Sequence, residues 1–205
     1  MKKTINLLFI FCLIAIPEIK AQLTPAQIME KTVKQITASK GNESNFKLYY
    51  SGYSGTGTIK TASSNFKVTL PDIEVWYNGK DLYTLNKNTL ETTVITPSYE
   101  ELAESNPMTY LTGAQKNYNI TFSTVKKNDK YVLELTPKKK GTDIKRVTVT
   151  ISKKKFLPDK IVVEPKGGSP ITAEITSFKT NLTLSDKEFE YPKSKYPKVE
   201  VIDLR

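Results

Sequence analysis

The chain has no histidine, one cysteine and one tryptophan among its 205 residues. Without histidine, the commonest general base and a principal neutral metal ligand are both missing. The cysteine, Cys12, lies in an apolar N-terminal run that reads as a removable leader, so the remaining chain offers no disulfide, thiolate ligand or thiol nucleophile. Arginine occurs only at Arg146 and Arg205, leaving little scope for bidentate phosphate recognition, and this argues against nucleic acid as a partner. Glycines 52, 55 and 57 are not followed by the lysine and hydroxyl residue of a phosphate loop and read as a bend in a strand. What remains for catalysis is a carboxylate pair or a Ser–Lys arrangement. Glu100, Glu101 and Glu104 come nearest to a cluster, but they fall in the first turns of a helix, where acids suit the helix dipole. The sequence therefore assigns no catalytic residue, no metal site and no cofactor.

Lys2-Lys3, an apolar run from Ile5 to Ile16, Pro17 and a small residue at Ala21 follow the order of a secretory signal peptide. The run is too short to span a bilayer. The expectation is a leader over residues 1–21 and one exported domain over residues 22–205, about 184 residues, enough for an ordinary hydrophobic core. Losing Lys2, Lys3, Lys20 and Glu18 takes the formal charge from +10 to +8. Lysines gather at 126–127, 138–140 and 153–155, each just after a strand-like run. Such clusters are commonly solvated hairpin ends, and their functional reading is attraction to an anionic surface or an acidic partner.

Strand patterns dominate. Residues 73–77 and 82–85 read as a hairpin, with Asn78-Gly79 supplying positive φ for a tight turn. Residues 92–96 form a third run, stopped by Pro97. Ser98 and Glu101 make a capping box, and Asn106-Pro107 opens a second helix, placing two short helices between Ser98 and Gln115. Upstream, Thr24-Pro25 opens a helix whose stripe is Met29, Val33 and Ile36, with Gly41 as its stop. Further strands are expected at 46–50, 58–60, 66–70, 118–125, 131–136, 146–152, 160–164 and 171–184, with an edge strand at 199–204 and turns that include Pro158-Asp159. About ten or eleven antiparallel strands in one domain should curl, and the concave face then needs a cover. The fold class is α+β, mostly β.

Four stretches stand out in order: Trp76-Tyr77-Asn78-Gly79-Lys80-Asp81-Leu82-Tyr83, Asn106-Pro107-Met108-Thr109-Tyr110-Leu111, Tyr131-Val132-Leu133-Glu134-Leu135-Thr136-Pro137-Lys138 and Phe189-Glu190-Tyr191-Pro192. Taken together they resemble the periplasmic outer-membrane lipoprotein carrier family, the LolA-like proteins. The resemblance implies an unclosed antiparallel half-barrel with a helical lid. Its apolar cavity would take the acyl chains of lipoproteins received from an inner-membrane releasing transporter and handed to an outer-membrane acceptor. It also implies a monomer. The family's Lys-Arg-Pro segment, whose arginine latches strand to lid, has no counterpart in residues 60–68.

Candidate acyl-binding positions are Met29, Val33 and Ile36 from the first helix, and Leu102, Met108 and Leu111 from the lid. From the sheet they are Phe46, Leu48, Phe66, Val68, Val75 and Trp76, and alternation alone does not say which parity faces inward. Leu111 is expected to roof an open space, so that a carboxylate there would leave folding largely intact. A non-enzymatic envelope module for a glycolipid, polysaccharide or protein is the second reading, and a carboxylate hydrolase the third.

Overall fold

Alternation along the strands, interrupted by turn residues, produces one curled sheet that never closes. The computed structural model describes residues 22–38 and 40–205; the expected leader, its cleavage after Ala21 and Cys12 lie outside them. In chain order the elements are α1 (Pro25–Thr37), β1 (Asn42–Tyr50), β2 (Tyr53–Ala62), β3 (Asn65–Thr69), β4 (Ile73–Tyr77), β5 (Leu82–Asn86) and β6 (Glu91–Ile95). Three short helices follow, α2 (Tyr99–Ser105), α3 (Met108–Thr112) and α4 (Ala114–Asn117). Then come β7 (Tyr118–Phe122), β8 (Lys130–Pro137), β9 (Ile144–Ser152), β10 (Pro158–Pro165), β11 (Ile171–Lys179) and β12 (Glu200–Asp203).

The spatial order is β12-β6-β5-β4-β3-β2-β1-β11-β10-β9-β8-β7, a 12-stranded sheet with two free edges. The half-barrel expected from the sequence is therefore present, with two differences. There are twelve strands, and β12 pairs parallel to β6, because the chain returns along the outside of the sheet. Pro158-Asp159 is no turn. Pro158 already pairs with Ile151, and the turn between β9 and β10 lies before it.

Turn chemistry is also redistributed. The two-residue hairpin is Ser51-Gly52, where φ is 44° and 82°, as a right-handed strand twist favours. Asn78-Gly79 instead belongs to a four-residue loop in which only Gly79 has positive φ. There the Asn78 Oδ1 accepts the N–H groups of Lys80 and Asp81 at 3.0 and 2.8 Å, an Asx turn. The pairing of β1 with β2 runs without a register shift past glycines 55 and 57. A Cβ on Gly57 would sit 2.6 Å from the Phe46 ring, so glycine makes room for that ring to lie across the strand.

The concave face carries two apolar clusters. Ile28, Met29 and Ile36 of α1 pack over Leu133, Leu135, Val147, Val149, Ile151 and Ile161. Helix α1 begins with a Thr24–Gln27 capping box and ends at Ala38, before Gly41, which is not its stop. The second cluster holds Phe46, Ile59, Phe66, Val68, Val75, Leu82 and Ala173. The convex face of β3–β6 is covered as well. Trp76 meets Tyr191 edge-on at 5.4 Å, and Tyr83 stacks on Tyr191 at the same distance. Phe189, Leu85 and Val94 are buried on this side.

Candidate functional site

Register decides which side chains look inward. The pairs Phe46↔Gly57, Ile59↔Val68, Val68↔Val75 and Tyr77↔Leu82 put Phe46, Leu48, Ile59, Phe66, Val68, Val75 and Tyr77 on one face of β1–β4. Helices α2 and α3 run across this face. The Ser98 hydroxyl accepts from Glu101 N–H while the Glu101 carboxylate accepts from Ser98 N–H, fixing where α2 starts. Hydrogen bonds from the Ser98 backbone N–H and, second, the Ser98 side chain to its carboxylate hold Glu101 below its usual range. At the joint, Asn106 N–H donates to the Leu102 carbonyl and the Asn106 Oδ1 accepts from Met108 N–H. The expected helix starts are thus present, although the apolar spacing Met108, Leu111, Ala114 spans two short helices rather than one.

The two sides of this α2–α3 link are seated differently. Ala103, Met108, Tyr110 and Leu111 are built into the cluster under α1. Toward the second cluster the link contributes only Leu102, which is half-buried. A cavity lies on each flank. The first, about 370 Å³, is bounded by Ile36, Phe66, Tyr77, Leu102, Met108 and Phe178. Ser63, Ser64 and Asn65, in the stretch without the family arginine, also line it. The second, about 350 Å³, is bounded by Phe46, Leu48, Val68, Leu70, Pro107 and Ile171. Tyr50, Tyr53 and Ile73 complete its rim, and all three are exposed. Each volume falls within the range of about 300–1,000 Å³ typical of small-molecule pockets.

Of the candidates named from sequence, Ile36, Phe66, Leu102 and Met108 come together at the first cavity, and Phe46, Leu48 and Val68 at the second. Val75 lies in the apolar cluster between them. Four do not join the site. Met29 and Leu111 are fully buried in the α1 core, so Leu111 does not roof an open space, and Val33 packs against that core from its edge. Trp76 has the opposite parity to Val75 and faces the convex side, under Tyr191 and Tyr196. Sequence reasoning missed Tyr50, Tyr77 and Ile73. Their signal was parity: Tyr50 follows Phe46 and Leu48 at even spacing, and Ile73 and Tyr77 flank Val75 at the same spacing.

The chemistry on offer is apolar. Polar groups at the rim are Asp72 and Glu104 on the second cavity and small hydroxyls and amides on the first. Among the nearby phenols, burial pushes Tyr110 and Tyr118 well above the ordinary range, so both stay protonated at neutral pH. A buried carboxylate with two lysine partners lies on the other side of the sheet. Glu74 ion-pairs with Lys87 at 3.1 Å and Lys67 at 3.3 Å and accepts from the Tyr196 hydroxyl at 3.2 Å. Burial alone would raise the Glu74 carboxyl, but its hydrogen bond to Lys87 and the two lysine charges outweigh that and hold it low.

Solved structures similar to this one share its fold at low identity. An uncharacterized conserved protein from Thermus thermophilus superposes with a TM-score of 0.60 at 12% identity, covering 87% of this chain and 98% of its own. A DUF1329 family protein from Desulfovibrio piger gives 0.51 at 15% identity, with 85% and 100% covered. A putative outer membrane lipoprotein-sorting protein domain from Vibrio parahaemolyticus gives 0.50 at 11% identity, with 83% and 97% covered. No protein of curated function gives a significant match. The family model described as outer membrane lipoprotein carrier protein LolA matches residues 20–166, most of the chain and all of the concave face up to β10, and the protein belongs to that family.

Proposed function

We propose that residues 22–205 form a single exported domain that shields lipoprotein acyl chains in the concave face of its half-barrel and carries them between inner and outer membranes. The observation that supports this most is the asymmetric seating of the α2–α3 link. One side is locked into the α1 core, while on the other Leu102 is the apolar side chain of the link that packs on the second cluster, with a cavity on each flank. Lifting Leu102 off the sheet would merge the two cavities into one apolar groove.

Moving acyl chain into water costs about 0.8 kcal/mol per methylene, so lipidated cargo needs such a shield to cross an aqueous gap. Cargo must also be released, and an apolar surface without reactive groups binds without covalent commitment. In this reading the partners are acylated lipoproteins, the releasing transporter at the inner membrane and an acceptor at the outer membrane, and the carrier works as a non-enzymatic monomer in the periplasm. The exposed Tyr50 and Tyr53 on the rim of the second cavity favour a second reading, in which a glycolipid is held with its sugar against the rings.

Binding of a fluorescent fatty-acid probe tests the proposal. Leu48 is half-buried at the second cavity, where water can reach a carboxylate, so Leu48→Asp should leave folding intact and weaken the probe by about tenfold or more. A metal chelator should change nothing. Probe binding no tighter than to an unrelated β-protein, or unaltered in Leu48→Asp, would overturn the acyl-binding reading. Competition by free glycan would favour the second.

A further inference from the structure

Two of the three lysine clusters meet at one end of the sheet. The β7–β8 turn carries Lys126 and Lys127, the β9–β10 turn carries Lys153, Lys154 and Lys155, and Lys138–Lys140 lie at the opposite end, after β8. The two turns form one surface. The Lys153 Nζ donates to the Asn128 carbonyl at 2.8 Å, and Lys153 N–H donates to the Asp129 carbonyl at 3.2 Å. The acids present are already engaged, since Lys130 pairs with Asp159 at 2.9 Å and with Asp129 at 3.5 Å. Lys126, Lys127, Lys154 and Lys155 are exposed, and none enters an ion pair among the described residues. Lys31 of α1 adds a further cation, 5.1 Å over the Phe156 ring.

A merely solvated hairpin end would be built from small polar turn residues. This one presents hydrocarbon among its charges. Val125 is 57% exposed and Phe122 43% exposed, the latter on edge strand β7, which has no strand beyond it. Phe156 holds a bulky ring at φ 52°, a conformation glycine would adopt without strain, and packs it against Tyr131 at 6.0 Å.

We propose that this end, formed by the β7–β8 and β9–β10 turns, docks the protein on an anionic lipid bilayer. Unpaired cations interleaved with exposed apolar side chains match a surface that has negative head groups above hydrocarbon. Lysine rather than arginine at all these positions gives point charges on long apolar stems. Those suit a diffuse charged layer better than the directional carboxylates of an acidic protein, which reward arginine. The docking face is separate from the two cavities, and it does not depend on what they bind.

Cosedimentation with vesicles tests it, using phosphatidylglycerol vesicles and phosphatidylcholine vesicles in parallel. The protein should bind the first and not the second, less tightly as salt rises. Replacing Lys126, Lys127, Lys154 and Lys155 together by Gln should weaken binding by roughly a hundredfold or more. Lys154→Gln with Lys155→Gln alone should weaken it about tenfold, which keeps the test available if the fourfold variant folds poorly. The triple replacement of Lys138, Lys139 and Lys140 by Gln should change binding by no more than about threefold, although it removes similar charge. Val125→Ser should lower the binding that survives added salt. Failure to bind phosphatidylglycerol vesicles, or equal losses from the two ends, would overturn the proposal. Binding to polyglutamate without binding to vesicles would also overturn it and assign the face to an acidic protein. Fatty-acid probe binding should be unaltered in every lysine variant, so the outcome is independent of the cavity reading.

Discussion

Leu48 and Leu111 both sit on the concave side, and what lies above each decides its role. Leu48 is half-buried beside the second cavity, whereas Leu111 is fully enclosed with Ile28, Met29 and Leu133. Leu111→Asp should therefore be as damaging as Leu133→Asp, each costing roughly 4 kcal/mol or more, because a carboxylate would be buried without a partner. Thermal melts of the two variants against Leu48→Asp check this. A Leu111→Asp protein that melts close to the parent would show that the space over Leu111 opens in solution. The spacing of Met108 and Leu111 told correctly that they share the buried side of the link. It held no information about which part of the sheet that side meets, since that depends on contacts with α1, far away in sequence. The same limit applies to Trp76. Alternation separates it from Val75, and only the C-terminal tail, through Tyr191 and Tyr196, shows which of the two faces outward.

At the scale of elements, signals carried within a few residues were legible and those carried by distant partners were not. The Ser98–Glu101 capping box, the Thr24-Pro25 helix start and the strand Ile73–Tyr77 all appear where the residues indicated. The tail was legible in part: the edge strand expected at 199–204 is present at residues 200–203, whereas no local pattern marked the tight helical turn over residues 193–195 or the parallel pairing with β6. This tail forms a second apolar layer on the convex face. Tyr191 is its centre: it stacks between Tyr83 and Tyr196, meets Trp76 edge-on, and its hydroxyl accepts from Thr92 Oγ1 at 3.2 Å. Arg205 closes the end by donating to Asp81 at 2.9 Å and by pairing with Asp203. Tyr191→Ala should cost roughly 2–3 kcal/mol and wet one side of the indole. Trp76 is the chain's single tryptophan, so its emission should shift to the red in the folded variant. Unchanged emission with unchanged stability would mean that the tail contributes nothing to that layer.

Across the whole molecule, the half-barrel supports two regions of unlike packing on a single sheet. Under α1 the concave face is packed shut by sixteen buried apolar residues that run from Ile28 to Val163. Under the α2–α3 link seven buried residues carry the face, and the space above them is divided rather than filled. A ligand that fills this space adds contacts the empty protein lacks, and an unfolded chain offers no such cavity. Stability and occupancy should therefore be linked. At a free acyl ligand concentration of about 100 times Kd, the gain is about 2.7 kcal/mol. For a domain of this size, each kcal/mol moves Tm by about 2–4 °C, so a rise of roughly 5–10 °C is expected. Differential scanning calorimetry against ligand concentration measures it directly. In Leu48→Asp the same additions should produce a much smaller rise, because binding rather than folding is what that substitution impairs. Hydrogen exchange locates the effect: protection should increase in the α2–α3 link and in β1–β4, while β8 and β9, already closed under α1, stay as they were. A Tm that does not respond to acyl ligand at any concentration, or protection gained only under α1, would show that the divided space on the concave face is not where ligand is held.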